Sequence, residues 1–125
     1  MLKNIFTYVA ITGPVKNPGP FSLEADEKLG DIIIAAGGFK SNIHKVKIIV
    51  TRQNPNSFEP TIFTLPTGSN TKKYFNINQL DNFENEVNQF ILKKNDIINI
   101  YPDPRDQLSD MIHIKGSVFF PGNYP

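Results

Sequence analysis

The sequence predicts an α+β domain in which one main helix packs against one face of a mixed sheet. Two observations support this prediction. Several short stretches alternate apolar with polar residues, which is the pattern of half-buried strands. One stretch, between Asp26 and Gly38, instead repeats its apolar residues at helical spacing. Taken in order along the chain, the predicted elements are β-β-α-β-β-β-(short α)-β.

The first two strands are predicted to form a hairpin. Over Tyr8–Val15, apolar residues alternate with small or polar ones, as in a half-buried strand. Pro18 and Gly19 then favour a type II turn, because proline presets φ at the first central position and glycine accepts a positive φ at the second. Alternation resumes over Phe21–Leu23, which predicts the return strand.

The third element is predicted to be a helix. Asp26 is the expected N-cap, since a carboxylate oxygen can accept a hydrogen bond from a free amide of the first turn. Gly37 suits the left-handed position that follows a helix, and Gly38 completes the stop. Between these ends runs one apolar stripe, formed by Leu29, Ile32, Ile33 and Ala36.

The rest of the chain contains four shorter strand patterns. Asn95 and Asp96 form the turn before the last of them. The segment 79–89 is rich in Asn, Asp and Glu, and its few apolar residues fit either a short helix or an irregular loop. The four predicted strands are Val46–Arg52, Thr61–Leu65, Tyr74–Ile77 and Ile97–Tyr101.

The composition excludes several classes of protein. The chain has 125 residues, a net charge of +1 and no cysteine. Disulfides, cysteine-containing zinc sites, iron–sulfur clusters and thiol nucleophiles are therefore excluded. The near-neutral charge argues against a dedicated nucleic-acid binder. Since no apolar run approaches the roughly 20 residues of a membrane span, we expect a soluble chain, either cytoplasmic or part of a longer exported protein.

No catalytic or metal site is predicted. His44 and His113 are far apart in the sequence, and no two histidines have the spacing of a metal-ligand pair. An enzyme acting on glycans would need two carboxyl groups roughly 5–9.5 Å apart across a cleft. The Asp and Glu residues of this chain are more simply explained as solvated side chains or helix caps.

The strongest signal in the sequence is an internal repeat. Ile112–Tyr124 matches Val9–Phe21 in the pattern V/I-x-I-x-G-x-V-x-x-P-G-x-F/Y, at a distance of 103 residues. A solenoid repeats every 20–50 residues or so, so this longer distance indicates tandem copies of a whole domain. We expect a first domain at 1–103, followed at 104–125 by a linker and the opening hairpin of a second, truncated copy. The simpler alternative is two unrelated hairpins with similar turns.

These motifs together resemble the SLBB (soluble-ligand-binding β-grasp) domain of bacterial polysaccharide export proteins. The resemblance runs from about Thr7 to Pro102 and restarts at Ile112. It is specific in order and spacing, although every matched residue is of a structural type. The motif residues are Gly13, Pro18, Gly19, Gly37, Gly38, Asn95 and Asp96, with Gly116, Pro121 and Gly122 in the second copy.

The chain departs from the family pattern at two residues and also contains one long stretch. Lys28 stands where the family usually has threonine before the helix, so the cap must come from elsewhere, with Asp26 as the candidate. Asn95 replaces the usual glycine, and asparagine also tolerates the left-handed conformation. The stretch 53–93 is longer than the resemblance leads us to expect.

The resemblance implies a non-enzymatic β-grasp module, without a cofactor, in the periplasm. It would belong to an outer-membrane lipoprotein that exports capsular polysaccharide or exopolysaccharide, with its lipid anchor outside this chain. Such proteins form rings from copies of themselves around the path of the glycan and work with an inner-membrane export partner. The alternative is a small-molecule-binding β-grasp subunit of an electron-transfer or cofactor-carrying complex.

The sequence offers only weak candidates for ligand contacts. Aromatic side chains can stack on sugars, and short basic pairs can line a path for an acidic polysaccharide. Packing in the core or strands is the simpler role for the aromatic residues, and solvated turns for the lysines. The candidates are Tyr74, Phe75 and Tyr101, together with Lys72, Lys73, Lys93 and Lys94.

Overall fold

A computed structural model describes residues 7–68 and 73–105 of the protein. The predicted order of elements is confirmed, and the ambiguous 79–89 region contains two short 3₁₀ helices, at Ile77–Asp81 and Glu86–Asn88. The strand predicted at Tyr74–Ile77 is shorter than expected. The elements are β1 (Tyr8–Thr12), β2 (Gly19–Ser22), α1 (Leu29–Ala35), β3 (Lys45–Arg52), β4 (Thr61–Leu65), β5 (Phe75–Asn76) and β6 (Ile97–Pro102).

The strands form one mixed sheet in the order β2-β1-β6-β3-β4, with β5 also paired to β3. The predicted hairpin is present, since β1 and β2 pair antiparallel from Tyr8 opposite Ser22 to Ile11 opposite Gly19. The first and last strands, β1 and β6, run parallel at the centre. The strands β4, β5 and β6 all pair antiparallel with β3. The α+β, β-grasp-like fold predicted from the sequence is therefore confirmed.

The core lies on one face of this sheet, under the helix. Alternate residues of the central strands are buried there, as their two-residue periodicity requires. The buried strand residues include Val9, Ile11, Val46, Ile48, Val50, Ile98 and Ile100, and the predicted helix stripe of Leu29, Ile32, Ile33 and Ala36 packs against them. Within the described residues, no helix is long and apolar enough to cross a membrane.

The start of the helix corrects one prediction. Asp26 is not the N-cap; it adopts a left-handed φ of 64° before the helix begins. Lys28 occupies the N-cap position, and its backbone N–H donates to the carboxylate of Asp31 at 3.0 Å. This bond is one half of a capping box, the half in which the side chain at N3 accepts from the N-cap N–H. The N–H of Leu29 in the first turn donates instead to the carbonyl of Phe90 at 2.9 Å.

The end of the helix confirms the prediction. Gly37 has a φ of 88° and donates its N–H to the carbonyl of Ile34 at 2.9 Å. Gly38 donates to the carbonyl of Ile33 at 3.0 Å. These two bonds are those of a Schellman motif, which satisfies carbonyls that the last turn would otherwise leave free.

Gly13 permits a close approach between two segments of the fold. Its φ is 116°, and a Cβ atom at this position would overlap the carbonyl oxygen of Ile100. Gly19 also has a positive φ, of 134°, but no atom lies near the place its Cβ would take. A side chain at position 13 would therefore cause both backbone strain and steric overlap, whereas a side chain at position 19 would cause backbone strain alone.

We predict that Gly13→Ala lowers the free energy of unfolding by about 2–3 kcal/mol, because it adds strain and overlap together. Gly19→Ala adds strain alone and should cost about 1 kcal/mol. Urea unfolding of the two variants beside the parent protein measures both. Equal losses would show that the contact with Ile100 contributes nothing.

The described chain ends in a local ion pair. Asp103 is buried and donates its N–H to the carbonyl of Lys45, while its carboxylate accepts bonds from the Nε and Nη2 of Arg105 at 3.2 and 3.1 Å. The hydrogen bond from Arg105 holds the pKa of Asp103 below its ordinary value, against the opposing effect of burial. Residues 106–125, and with them Gly116, Pro121 and Gly122, lie outside the described residues, so the division at 103 stays a prediction.

The lowered pKa of Asp103 predicts an acid-sensitive contribution to stability. A carboxylate whose pKa is lower in the folded state stabilises the protein above its unfolded pKa, and this stabilisation is lost as pH falls through the folded pKa. The parent should therefore exceed Asp103→Asn in unfolding free energy at pH 7, with the difference shrinking below about pH 4. Denaturant titrations at both pH values test this; a difference independent of pH would contradict it.

Candidate functional site

A groove lies between helix α1 and the segment 77–88. Its volume is about 660 Å³, within the usual range of small-ligand pockets. The helix contributes Ile33 and Ile34 to its walls, and the segment contributes Leu80, Phe83 and Val87. Because apolar side chains line this open groove, we take it as the candidate functional site.

Gly30 brings the two walls of the groove close together. This glycine is buried in the helix, and a Cβ atom there would overlap the Oδ1 of Asn88. The Nδ2 of Asn88 in turn donates to the carbonyls of Leu80 and Asn82, each at 2.8 Å. Asn88 thus links the second 3₁₀ helix to the first by hydrogen bonds and packs against Gly30 of α1.

Several polar side chains in the segment, and Gln89 just after it, bond to nearby backbone groups. The Oδ1 of Asn85 accepts from the N–H of Val87 at 2.9 Å, and the Oε1 of Gln79 accepts from the N–H of Asn76 at 2.8 Å. The Nε2 of Gln89 donates to the carbonyl of Phe83 at 2.8 Å. Side-chain amides therefore bond to backbone groups that have no partner in a regular helix or sheet.

Three polar side chains along the groove are left for a ligand. Within 7–68 and 73–105, the side chains of Lys28, Asn78 and Asp81 have no hydrogen-bond or ion-pair partner. Phe83 is 76% exposed and Ile34 is 75% exposed at the same groove. The groove therefore offers donors, acceptors and an open aromatic surface, while Asp31 and Asp81 offset the charge of Lys28.

The ligand candidates predicted from the sequence lie elsewhere. Phe75 is only 5% exposed and belongs to the core, so it offers no contact surface. Tyr101 is 48% exposed on the open face of the sheet, opposite Lys47. The ammonium of Lys47 also lies 4.8 Å from the centre of the Tyr74 ring. The structure thus brings Tyr74 and Tyr101 to one lysine, but neither lines the groove.

The predicted basic pairs are not brought together. Lys93 and Lys94 are exposed in the turn before β6. Lys73 precedes β5, and β5 pairs with the start of β3, which lies opposite the other end of β6. Lys72 lies outside the described residues. The described lysines of these pairs therefore do not form one basic path.

Sequence reasoning missed Lys28, Asn78, Asp81 and Phe83 as site residues. The segment 79–89 was noticed for its polar composition, but its two possible conformations left the position of each side chain open. The available signal was Phe83, an aromatic residue within a polar run. Only the packing of the segment against α1 shows that these side chains line one groove.

A largely buried ion pair joins the end of β3 to the turn before β6. The Nε and Nη2 of Arg52 donate to the two carboxylate oxygens of Asp96 at 3.0 and 2.9 Å. Asp96 is fully buried and also accepts from the N–H of Lys93. The guanidinium lies 4.8 Å from the Phe63 ring centre and 5.5 Å from that of Phe90. The predicted motif residue Asp96 therefore has a partner, Arg52, that the sequence did not reveal.

The turn around Asp96 follows the prediction. Asn95 has a φ of 68°, the left-handed conformation expected of the residue that replaces the family's glycine. Its N–H donates to the carbonyl of Tyr8 at 2.7 Å, and the N–H of Ala10 donates to the carbonyl of Asp96 at 3.1 Å. These bonds dock the turn against β1.

We predict that Arg52→Met lowers the free energy of unfolding by about 3–5 kcal/mol, because it leaves the carboxylate of Asp96 buried without its counter-charge. Adding Asp96→Asn to that variant should recover part of the loss, since the remaining partner is then neutral. Chemical denaturation of the single and double variants forms the test. A double variant no more stable than Arg52→Met would contradict the uncompensated-charge explanation.

Comparison with known protein families agrees with this geometry. Residues 8–62 match the family model of the SLBB domain, which confirms the resemblance found in the sequence. No curated protein matches the chain. The matched region runs from β1 to the second residue of β4, so it holds helix α1 but not the segment 77–88. An SLBB domain is a ligand-binding module found in polysaccharide export proteins, and residues 8–62 of this chain match the model of that family.

Proposed function

We propose that this chain is a non-enzymatic periplasmic module of an outer-membrane polysaccharide export protein. In this proposal the groove between α1 and the segment 77–88 contacts the passing glycan, and the open sheet face contacts neighbouring subunits of a ring. The SLBB match supports the family context. The observation that carries the glycan contact is the presence of three unpartnered polar side chains beside an exposed phenylalanine.

The chemistry of the groove suits a sugar ring. A pyranose has an apolar C–H face and a rim of hydroxyl groups that both donate and accept hydrogen bonds. Phe83 offers a flat apolar surface for the C–H face. Asn78 can donate and accept, Asp81 accepts and Lys28 donates, so the hydroxyl groups find both kinds of partner.

The charge of the groove favours a neutral or weakly charged glycan. Lys28 is offset by Asp31 and Asp81, which line the same groove. The described basic residues predicted from the sequence, Lys73 and the pair 93–94, stand at opposite ends of β6 rather than here. A strongly acidic polymer would therefore meet no concentrated positive charge in the groove.

The open sheet face supports the ring contact. Register places Ala10, Ile97, Thr51 and Ile62 in one row across four strands on the face away from the helix. Tyr8, Ile97, Ile62 and Tyr101 are the exposed large apolar or aromatic side chains of this face. A sheet face with this content is a candidate contact between subunits, because exposed apolar surface favours association.

We predict that neutral oligosaccharides shift the amide resonances of Asn78, Asp81 and Phe83 in NMR titrations. Phe83→Ala should weaken binding about 3–10-fold, the usual contribution of one stacked aromatic ring. Phe58→Ala is the matched control, because Phe58 is fully exposed and does not line the groove. Equal affinity of both variants would contradict the groove assignment.

The same samples test the remaining parts of the proposal. Oligosaccharides recovered after long incubation should be unchanged, since the module is proposed to be non-enzymatic, and cleaved products would overturn that part. In the encoding bacterium, Phe83→Ala in the full-length protein should lower surface polysaccharide relative to Phe58→Ala. Normal export with the Phe83 variant would contradict the proposal that glycan contact in the groove is needed for export.

A further inference from the structure

We propose that strand β4 pairs antiparallel with β4 of a second copy of this chain, with Phe63 on the two-fold axis. The result is one continuous sheet through two domains. This inference does not depend on the proposed function, because it rests on the backbone groups at one edge of the sheet and not on the groove beside α1.

The register of the sheet shows which backbone groups of β4 face outward. Lys45 accepts a hydrogen bond from Asp103 on the β6 side, so the odd-numbered residues of β3 point their N–H and C=O groups toward β6. The even-numbered residues therefore bond to β4. Val50 lies opposite Phe63, so the odd-numbered residues of β4 face β3. Ile62 and Thr64 consequently direct their N–H and C=O groups away from the sheet.

These outward groups have no partner within the part of the chain described. No backbone or side-chain hydrogen bond in 7–68 and 73–105 involves the N–H or C=O of Ile62 or Thr64 on that side. An edge strand with such free groups is a template for another strand unless something blocks it. Pro60 and Pro66 flank the strand and have no N–H, so the usable donors are confined to Ile62 and Thr64.

The other edge of the sheet is blocked. The N–H of Ala10 donates to Asp96, on the β6 side of β1, so Pro20 opposite Ala10 faces outward from β2. Pro20 has no N–H, and a proline at this position is a common protection of an edge strand. β4 carries neither proline nor charge between Thr61 and Leu65. Pairing of β4 with itself therefore brings no charged residue of the strand against its own copy.

One register makes the pairing self-complementary. If Phe63 lies on the axis, Ile62 stands opposite Thr64 of the second copy, and Thr64 opposite Ile62 of the second copy. Each of these two pairs exchanges two N–H···O bonds, so all four outward donors are used. The neighbouring register centred on Ile62 would place Thr64 opposite a proline and lose bonds. The positions of the outward N–H groups and prolines on β4 thus favour pairing with a second β4, in the register centred on Phe63.

The side chains at this edge fit the same arrangement. Ile62 is 59% exposed on the open face, where it would contact Thr64 of the second copy. A depression of about 430 Å³ follows the edge of the strand and is lined by residues of β4 from Ile62 to Leu65 and by Thr67, Glu86, Gln89 and Phe90. Two such depressions meet at the axis, and the two Phe63 rings lie next to each other there. A strand-pairing site of this kind combines main-chain bonds with apolar pockets for alternate side chains.

Sedimentation equilibrium of the 125-residue chain tests the proposal. We expect a concentration-dependent dimer in the weak range of a small interface. Thr64→Pro removes an outward N–H without removing a bond to β3, and should weaken dimerisation about tenfold or more. Thr64→Lys keeps the N–H and places like charges across the axis, so it serves as a second variant. Both should keep the melting temperature of the parent within a few degrees.

Ser22→Pro is the matched control at the blocked edge. Ser22 faces outward from β2, since the next residue, Leu23, donates to Thr7 on the inner side. This variant should dimerise as the parent does. A monomeric parent at millimolar concentration, or a dimer weakened by Ser22→Pro and not by the Thr64 variants, would overturn the proposal.

Cysteine cross-linking tests the register. The chain contains no cysteine, so Ile62→Cys and Thr64→Cys each introduce a single thiol. An equal mixture of the two variants should form mixed disulfides faster than either variant forms its own, because residues 62 and 64 are opposite each other. Faster cross-linking of Ile62→Cys with itself would place the axis elsewhere and contradict the register.

Discussion

The bidentate pair between Arg52 and Asp96 is the interaction on which the remaining parts of the domain depend. It joins the last residue of β3 to the turn that begins β6, and these strands form the centre of the sheet. The same guanidinium contacts the rings of Phe63 on β4 and Phe90 beyond the second 3₁₀ helix. Because a fully buried carboxylate requires a counter-charge, the end of each of these segments is fixed relative to the others.

This arrangement separates the framework of the domain from its candidate binding surface. The framework consists of the sheet, the helix and the ion pair, and most of it falls within the matched stretch 8–62. The groove needs in addition the segment 77–88, which is held by its own amides and by Asn88 against Gly30. The segment can therefore change its exposed side chains, such as Phe83, without changing the bonds that shape it.

The fold was largely predictable from the sequence, and the site was not. Alternation and helical spacing depend on local periodicity, so they located β1, β3 and α1 and the glycine stop correctly. The helix start was predicted wrongly because Asp26 has the side chain typical of an N-cap, whereas the N-cap is Lys28 and the acceptor is Asp31 inside the first turn. The partner of Asp96 and the groove residues depend on contacts between distant segments, for which the sequence offers no local signal beyond an aromatic Phe83 within a polar run.

The proline at position 20 has a consequence for how far this sheet can grow. A sheet with two free edges can add copies at both sides and extend without limit into a fibre. In the pairing proposed here only the β4 side accepts a further strand, so a second domain joined there would present its own β2 side to solvent. In the proposed dimer the two outer edges are the β2 strands, where Pro20 offers no N–H to a further strand. The proposed pairing through β4 would therefore favour two copies over a filament.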